Sequence, residues 1–146
     1  MLTDKYEEII ADFKQYVESN SKYGAKVVKY NSNTSAYFPT TTCPPPKETD
    51  TDNCTIDKIE YYNAIYFTIN HYAKDKTIGN KKIASQVIIN ELIKLTKQYF
   101  GGKMNMKMTL NEPTPSLDTN ILRQTMQFQG YIGNARANII RRWNND

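Results

Sequence analysis

The chain has few of the residues from which catalytic and metal sites are usually built. Its 146 residues include two cysteines and one histidine, His71, which has no serine or cysteine beside it. A structural zinc ion takes four ligands, so two cysteines and one histidine are too few for the usual zinc sites. Gly101-Gly102 lacks the lysine spacing of a P-loop, and the acidic run Asp50–Asn53 lacks the glycine and glutamate of a calcium loop. We therefore expect a protein that is not an enzyme and holds no cofactor or metal.

Long apolar runs are missing as well. No stretch approaches the roughly 20 apolar residues of a membrane-spanning helix, so no membrane partner is expected. The first residues, MLTDKYEE, are acidic and amphipathic, unlike a signal peptide, which indicates a protein made and used in a cytoplasm. In such a reducing compartment Cys43 and Cys54 should be free thiols. A length of 146 residues suits a single domain, residues 1–146, with one core.

The chain also lacks a large excess of positive or negative charge. A net charge of +4, from 19 basic and 15 acidic residues, is mild for a duplex-DNA binder. Arg136, Arg141 and Arg142 form the one basic cluster. A solvated basic tail is the simpler interpretation of this cluster, and a contact with phosphate or an acidic partner is the alternative.

The most regular segment predicts one long strand. From Tyr61 to Ala73, apolar side chains alternate with polar and tyrosine side chains, as in a half-buried strand. The apolar face holds Ile59, Ile65, Phe67 and Ile69. The other face holds Tyr62, Tyr66, Thr68, Asn70 and Tyr72. Because tyrosine is amphipathic, the second face suits contact with water or with another subunit.

A helix is predicted after this strand, from Lys82 to Tyr99, and it should cover the apolar face. Gly79-Asn80 separates strand and helix, and Gly101-Gly102 is expected to end the helix. The apolar positions at helical spacing are Ile83, Val87, Ile88, Leu92, Leu95 and Tyr99. A first helix is predicted over residues 3–19. Its apolar stripe consists of Tyr6, Ile9, Ile10, Phe13 and Val17.

The segment between these parts is irregular. A short strand is predicted at Ala25–Tyr30, and a long Pro- and Thr-rich loop at residues 39–55. Thr40–Asn53 has too few apolar residues to bury itself, and Pro44–Pro46 favours a stiff extended segment. A surface loop with local disorder and an arm ordered against a neighbouring subunit are equally compatible with this composition.

Two further strands are predicted, followed by a short last strand at Ala137–Trp143. Met104, Met106, Met108 and Leu110 alternate with polar residues, so the methionines should pack in the core. At 111–116 the prolines should interrupt pairing, because proline cannot sit in a central ladder. In the strand Ile121–Ile132, one face carries Leu122, Met126, Phe128 and Ile132. The other face, with Arg123, Thr125, Gln127, Gln129 and Tyr131, is suited to hydrogen bonding.

Three segments of the C-terminal half carry a resemblance to a known family. The first is IYFTINHYAKDKTIGNKKIASQVIINELIKL, residues 65–95. The second is LNEPTPSLDTNILRQTMQFQGYI, residues 110–132, with Arg123, Thr125 and Phe128 in an Arg-x-Thr-x-x-aromatic pattern. The third is NIIRR, residues 138–142. In order and spacing these segments resemble the tail terminator (tail completion, or neck) proteins of long-tailed bacteriophages of Gram-positive hosts. The chain departs from the family at residues 38–55, where family members tend to have a continuous strand after the Phe-Pro pair and this sequence has a Pro- and Thr-rich loop.

The resemblance implies an α+β fold, with two main helices packed on one face of a mixed or largely antiparallel sheet. It also implies a structural virion protein whose copies form a ring, typically hexameric, at the end of the tail tube. Such a ring stops tube polymerisation and joins the tail to the head connector. The implied partners are further copies of the chain, the tail tube protein, the head-completion or connector protein, and genomic DNA in the lumen. The implied location is the virion tail or neck, after assembly in the host cytoplasm.

Ring subunits bind their neighbours through side chains at their surface. The candidate interface residues are Tyr62, Tyr66, Tyr72, Arg123, Gln127, Arg141 and Arg142. A head-closure or connector adaptor ring is an alternative function. A nucleic-acid-binding module with tyrosine stacking platforms is another, although these tyrosines are not interleaved with basic residues on their own strand face.

Overall fold

The computed structural model describes residues 2–29, 38–49, 62–115 and 120–133, and these form two α-helices and eight strands. The helices are α1 (Leu2–Asn20) and α2 (Ser85–Thr96), and a π-helical segment, Lys97–Lys103, continues α2. The strands are β1 (Lys26–Lys29), β2 (Thr40–Cys43), β3 (Lys47–Thr49), β4 (Tyr62–Ala73), β5 (Lys76–Ile78), β6 (Lys81–Ile83), β7 (Lys107–Thr114) and β8 (Leu122–Gly133).

The main sheet has the order β1-β2-β4-β8-β7, and it is mixed because β1 and β2 are parallel whereas the other pairs are antiparallel. β2 and β3 pair with successive parts of β4, with Thr42 opposite Asn70 and Lys47 opposite Tyr66. Pro44–Pro46 separates these two short strands. β5 and β6 form a hairpin of their own. The predicted α+β class, with a mixed sheet and two main helices, is confirmed.

One face of the sheet carries the core. Buried side chains on this side come from the predicted stripe of α1 and the predicted apolar face of β4: Tyr6, Ile10, Phe13, Val17, Ile65, Phe67 and Ile69. Fully burying one large apolar side chain contributes about 1.5–3 kcal/mol. Because both sets point to the same side, the other face of β4 remains available for different contacts.

Phe100, in the π-helical segment, is the point where the core elements meet. Its ring centroid lies 4.9 Å from that of Phe13 in α1 and 5.2 Å from that of Phe67 in β4. It also stacks on Phe128 of β8 at 5.3 Å. Aromatic rings at these separations attract one another beyond the area they bury. The ring of Phe100 therefore ties α1 and the two longest strands to the end of α2.

The loop predicted at residues 39–55 is wrong in two places, because Lys47–Thr49 is the strand β3 and Thr40–Cys43 is the interior strand β2. All four of its side chains are buried, and the backbone is paired with β1 on one side and β4 on the other. Threonine is β-branched and suits a strand, and its hydroxyl can be buried when it is hydrogen-bonded. Cys43 is a buried free thiol, as expected, and Cys54 lies outside the described residues.

The predicted start of the second helix is also wrong. Lys82 lies in β6, opposite Thr77, and Gly79 at the intervening turn has a φ of 61°. The helix begins at Ser85, whose backbone N–H donates to the Asp75 carboxylate at 2.8 Å. A carboxylate at the N-terminus of a helix interacts favourably with the helix dipole. The hydrogen bond from Ser85 lowers the pKa of Asp75.

The predicted end of this helix and one of its apolar positions need correction too. The chain does not stop at Gly101-Gly102 but passes through both glycines in a π-helical turn. The Met104 N–H donates to the Tyr99 carbonyl at 3.0 Å, a step of π-helical length. Burial of Tyr99 and Phe100 favours this continuation. Val87 is 47% exposed, and Ile89 is buried instead.

The pairing of β7 continues where an interruption was predicted. Pro113 lies opposite Gln124 and Thr114 opposite Arg123. Proline is tolerated here because β7 is the outer strand of the described sheet, and proline in sheets is confined mainly to such strands. The methionine prediction holds only in part, since Met104 and Met106 pack against the core whereas Met108 is 38% exposed. The predicted last strand, Ala137–Trp143, lies outside the described residues.

Candidate interaction face of the sheet

The sheet face opposite the helices is built by β4 and β8. These strands pair along their whole lengths, from Tyr62 opposite Gly133 to Ala73 opposite Leu122. Directly opposite residues share a face, and that face alternates along the strand. The resulting pairs on the non-helix side are Tyr66 with Gln129, Thr68 with Gln127, Asn70 with Thr125 and Tyr72 with Arg123. We call these eight residues the open face, and all of them are half-buried.

Asn70 is the centre of the hydrogen bonds on the open face. Its side-chain oxygen accepts from the Thr125 hydroxyl at 2.8 Å and from Arg123 Nη2 at 3.2 Å. The Thr125 hydroxyl in turn accepts from the Thr114 hydroxyl of β7 at 2.6 Å. Chains of hydrogen bonds of this kind strengthen one another and fix rotamers. The network therefore gives the centre of the open face a defined shape across three strands.

Arg123 supplies the positive charge of the open face. Its guanidinium carbon lies 5.6 Å from the ring centroid of Tyr72, a distance at which a cation is attracted to an aromatic ring. Its Nε is buried and has no hydrogen-bond partner within the described part of the chain. A buried donor without an acceptor is destabilising, so the contacts of Arg123 with Asn70 and Tyr72 must offset this cost.

Four of the seven predicted interface candidates lie together on the open face, namely Tyr66, Tyr72, Arg123 and Gln127. Tyr62 is the first residue of β4, and its side chain lies outside the described residues. Arg141 and Arg142 lie outside them as well.

The sequence interpretation missed Asn70 and Thr125 as the centre of this face. The alternation of the sequence already placed both residues on the polar faces of their strands, which form the open face. Their mutual contact depends on the β4–β8 register, which a pattern within one strand does not give.

Replacing Asn70 by alanine should leave the Arg123 guanidinium and the Thr125 hydroxyl without their shared acceptor. We expect the free energy of unfolding to fall by about 1–2 kcal/mol, measured by urea denaturation. Thr68→Ala, on the same face of the same strand, is the matched control and should cost less than about 0.5 kcal/mol. Equal losses in the two variants would contradict the central role of Asn70.

His71, the only histidine of the sequence, points to the core side and is fully buried. Its Nδ1 lies 2.7 Å from the Thr41 hydroxyl, and its Nε2 lies 3.2 Å from the Thr96 hydroxyl. The Thr96 hydroxyl donates its own hydrogen to the Leu92 carbonyl at 2.7 Å, so it can only accept from the imidazole. We therefore assign the proton to Nε2, and Nδ1 accepts from Thr41.

This arrangement keeps the imidazole neutral. Burial lowers the pKa of His71 to about 3, because the charged form would lose its hydration. Among the described residues, the groups within hydrogen-bonding distance of the ring nitrogens are the hydroxyls of Thr41 and Thr96 and the sulfur of Met126, at 3.3 Å. Neither a carboxylate nor a nucleophilic thiol is among them. The histidine thus joins β2, β4, α2 and β8 as a structural hydrogen-bonding group.

Among the described residues there is no cluster of three or more His, Cys, Asp or Glu side chains that could hold a metal ion. In the same part of the chain, neither helix has the length and apolar character needed to cross a membrane. No protein-family model matches this sequence, and no curated protein matches it either.

Proposed function

We propose that this protein is a structural virion subunit that forms a ring, of hexameric type, at the end of a phage tail tube. The ring stops tube polymerisation and joins the tail to the head connector. The resemblance of residues 65–95, 110–132 and 138–142 to tail terminator proteins supports this function. The α+β fold with helices on one sheet face agrees with what that resemblance implies.

The observation that carries the proposal is the open face. A sheet whose second face is covered by neither helix is suited to contact with another protein. Tyrosine and arginine are enriched at protein interfaces, and both types stand here beside glutamine and threonine.

Electron microscopy of the purified protein, with and without tail tubes from a terminator-deficient phage, tests the proposal. We expect a ring on one end of each tube and tubes of uniform length. Tyr66→Ala removes a central side chain of the open face, and we expect it to reduce capping by about tenfold or more, the effect of an interface hot spot. Gln86→Ala, at an exposed position of α2, is the matched control and should cap normally.

A different outcome would be bare tubes that keep growing, with the protein bound to DNA-filled heads. The ring would then be assigned to the head and not to the tail tube. That outcome would support a head-closure or connector adaptor, which is the alternative within the same virion setting. Binding to neither tubes nor heads would overturn both functions.

One contact gives specific support to a second candidate, a nucleic-acid-binding module. The register of β4 and β8 places Arg123 on Tyr72, so an aromatic and a basic side chain do stand together on one face. Bases stack on aromatic rings and phosphates bind arginine in single-strand-binding proteins. Binding of single-stranded DNA that weakens with salt and is lost in Tyr66→Ala would favour this candidate.

A further inference from the structure

Two contacts between a cation and an aromatic ring stand side by side at one end of the open face. The guanidinium carbon of Arg123 lies 5.6 Å from the ring centroid of Tyr72. Lys74 Nζ lies 4.9 Å from the ring centroid of Phe38. Energetically significant contacts of this kind occur roughly once per 70–80 residues, so two at neighbouring positions are a local concentration.

The four side chains lie on the same side of the sheet. Tyr72 and Arg123 are directly opposite residues of β4 and β8. Lys74 follows Tyr72 by two residues, and side chains two apart along an extended chain share a face. Phe38 precedes Thr40 by two residues, and Thr40 lies opposite Tyr72. Diagonal neighbours of this kind are about 7–8 Å apart. We call Phe38, Tyr72, Lys74 and Arg123 the cation–aromatic site.

The cation–aromatic site is held in place and yet open to solvent. All four side chains are half-buried, and Arg123 Nη2 donates to the Asn70 side chain at 3.2 Å. Neither cation forms an ion pair with a carboxylate from the described part of the chain. Glu112, an exposed carboxylate on the same side, is in register with Thr125, two residues farther from this end than Arg123.

Positive charge continues beyond the end of the sheet. The β5–β6 hairpin begins two residues after Lys74, and its lysines Lys81 and Lys82 are exposed. Asp75 is the one acidic residue of the hairpin and its flanks, and its carboxylate already accepts from the Ser85 N–H. The Lys82–Asp75 ion pair is 3.9 Å long and exposed on both sides, so it leaves most of this charge available to a partner.

Aromatic rings that each lie beside a cation match the two chemical groups of a single nucleic-acid strand. Unpaired bases stack on aromatic side chains, and the phosphates between them bind lysine and arginine. A duplex would use only the cations, because its bases are already paired and stacked on each other. The carboxylates of an acidic protein would likewise use only the cations.

We propose that the cation–aromatic site binds single-stranded nucleic acid, with bases on the rings of Phe38 and Tyr72 and phosphates on Lys74 and Arg123. None of these contacts reads a base edge or the 2′-hydroxyl, so DNA and RNA strands should bind alike and with little sequence preference. This binding goes beyond the proposed ring function. It rests on the nucleic-acid-binding alternative, to which it gives a defined position.

Fluorescence anisotropy of the full chain with labelled oligothymidylate of about 12 nucleotides, within the usual site size of about 4–16, tests the site. Tyr72→Ala and Phe38→Ala should each weaken binding by about fivefold to a hundredfold, since each removes a stacking ring. Tyr72→Phe keeps the ring and should bind within about twofold of the wild type. Thermal unfolding near that of the wild type establishes that each variant is folded.

Salt dependence separates the cations from the rings. Lys74→Ala and Arg123→Ala should each make the slope of log K against log salt concentration shallower by about 0.7, the effect of losing one phosphate contact on a single strand. Tyr72→Ala should weaken binding without changing that slope. Lys94→Ala removes the same charge at an exposed position of α2, on the other side of the sheet, and should change neither the affinity nor the slope.

Three outcomes would overturn the site. The first is a wild type that does not bind the oligomer at low salt. The second is a duplex of equal length, or polyglutamate, that competes as well as the unlabelled single strand, because charge alone would then explain binding. The third is a loss confined to Tyr66→Ala, since Tyr66 stands about 20 Å from Tyr72 along β4.

Failure of this site can be distinguished from failure of the ring function. Capping of tail tubes is measured without free nucleic acid, so a wild type that caps tubes and ignores the oligomer keeps the ring function and loses the site. A wild type that binds the oligomer as described and leaves both tubes and heads bare keeps the site and loses the ring function.

Discussion

Replacement of Phe100 by alanine should lower the free energy of unfolding by about 3–5 kcal/mol, the largest effect we expect from a single substitution. The ring is fully buried and stands between Phe13, Phe67 and Phe128 at centroid distances of 4.9 to 5.3 Å. Its removal leaves a cavity that three different elements border, so no single side chain can move to fill it. Urea denaturation at pH 7 measures the loss, and the melting temperature should fall by about 10 °C.

Two further variants make this expectation specific. Phe100→Leu keeps part of the volume and should cost clearly less than Phe100→Ala. Lys94→Ala, at an exposed position of α2, should change the stability by less than about 0.5 kcal/mol. Similar losses in Phe100→Ala and Lys94→Ala would show that Phe100 does not connect the core elements.

Stability should decrease as the pH falls below about 6.5, and His71 should be the cause. The pKa of an unfolded histidine is about 6.5, whereas burial lowers that of His71 to about 3. Between these values the unfolded chain takes up a proton that the folded chain does not bind. The free energy of unfolding should therefore fall with a slope approaching about 1.4 kcal/mol per pH unit, and this stability is fully present above pH 6.5.

The range from pH 5 to 6.5 isolates this effect, because the sequence has no other histidine. The carboxyl groups of Asp12, Glu18 and Asp75 have lowered pKa values, so their contributions are lost only at lower pH. In His71→Gln, the free energy of unfolding should change much less with pH in this range than in the wild type, even if the variant is less stable at pH 7. An unchanged slope in that variant, or NMR shifts of a protonated imidazole in the folded wild type at pH 5, would contradict the assignment.

The elements that the sequence predicted well are those whose residues alternate or repeat without interruption. The alternation from Tyr61 to Ala73 predicted β4 and the side that its residues from Ile65 onward face. β2 was not predicted, because its sequence, Thr-Thr-Thr-Cys, shows no alternation of apolar and polar residues. Their burial depends on strands distant in sequence and on a hydroxyl–imidazole contact with His71. The β5–β6 hairpin was likewise hidden, since Lys82 and Ile83 fit the helical spacing of the segment that follows.

The open face was predicted in its composition but not in its contacts. Tyr66, Tyr72, Arg123 and Gln127 were selected from two separate strands, and the sequence contained nothing to show that these strands are neighbours. Their pairing places Arg123 on Tyr72, which the single-strand pattern had argued against. Cross-strand contacts of this kind depend on register, and register is fixed only when the core faces of both strands are buried together.

The pairing of β4 with β8 has a consequence for synthesis of the chain. These strands join residues about fifty to seventy positions apart, whereas β7 and β8 pair within about twenty. At roughly 5–20 residues per second, β4 waits several seconds on the ribosome before β8 is made. During that time α1 and α2 can cover only the apolar face of β4, so the edge that later binds β8 stays unpaired and exposed. β7 can pair only after β8 is made as well, because β8 is its one neighbour in the described sheet, so the centre and this edge of the sheet are completed together and late.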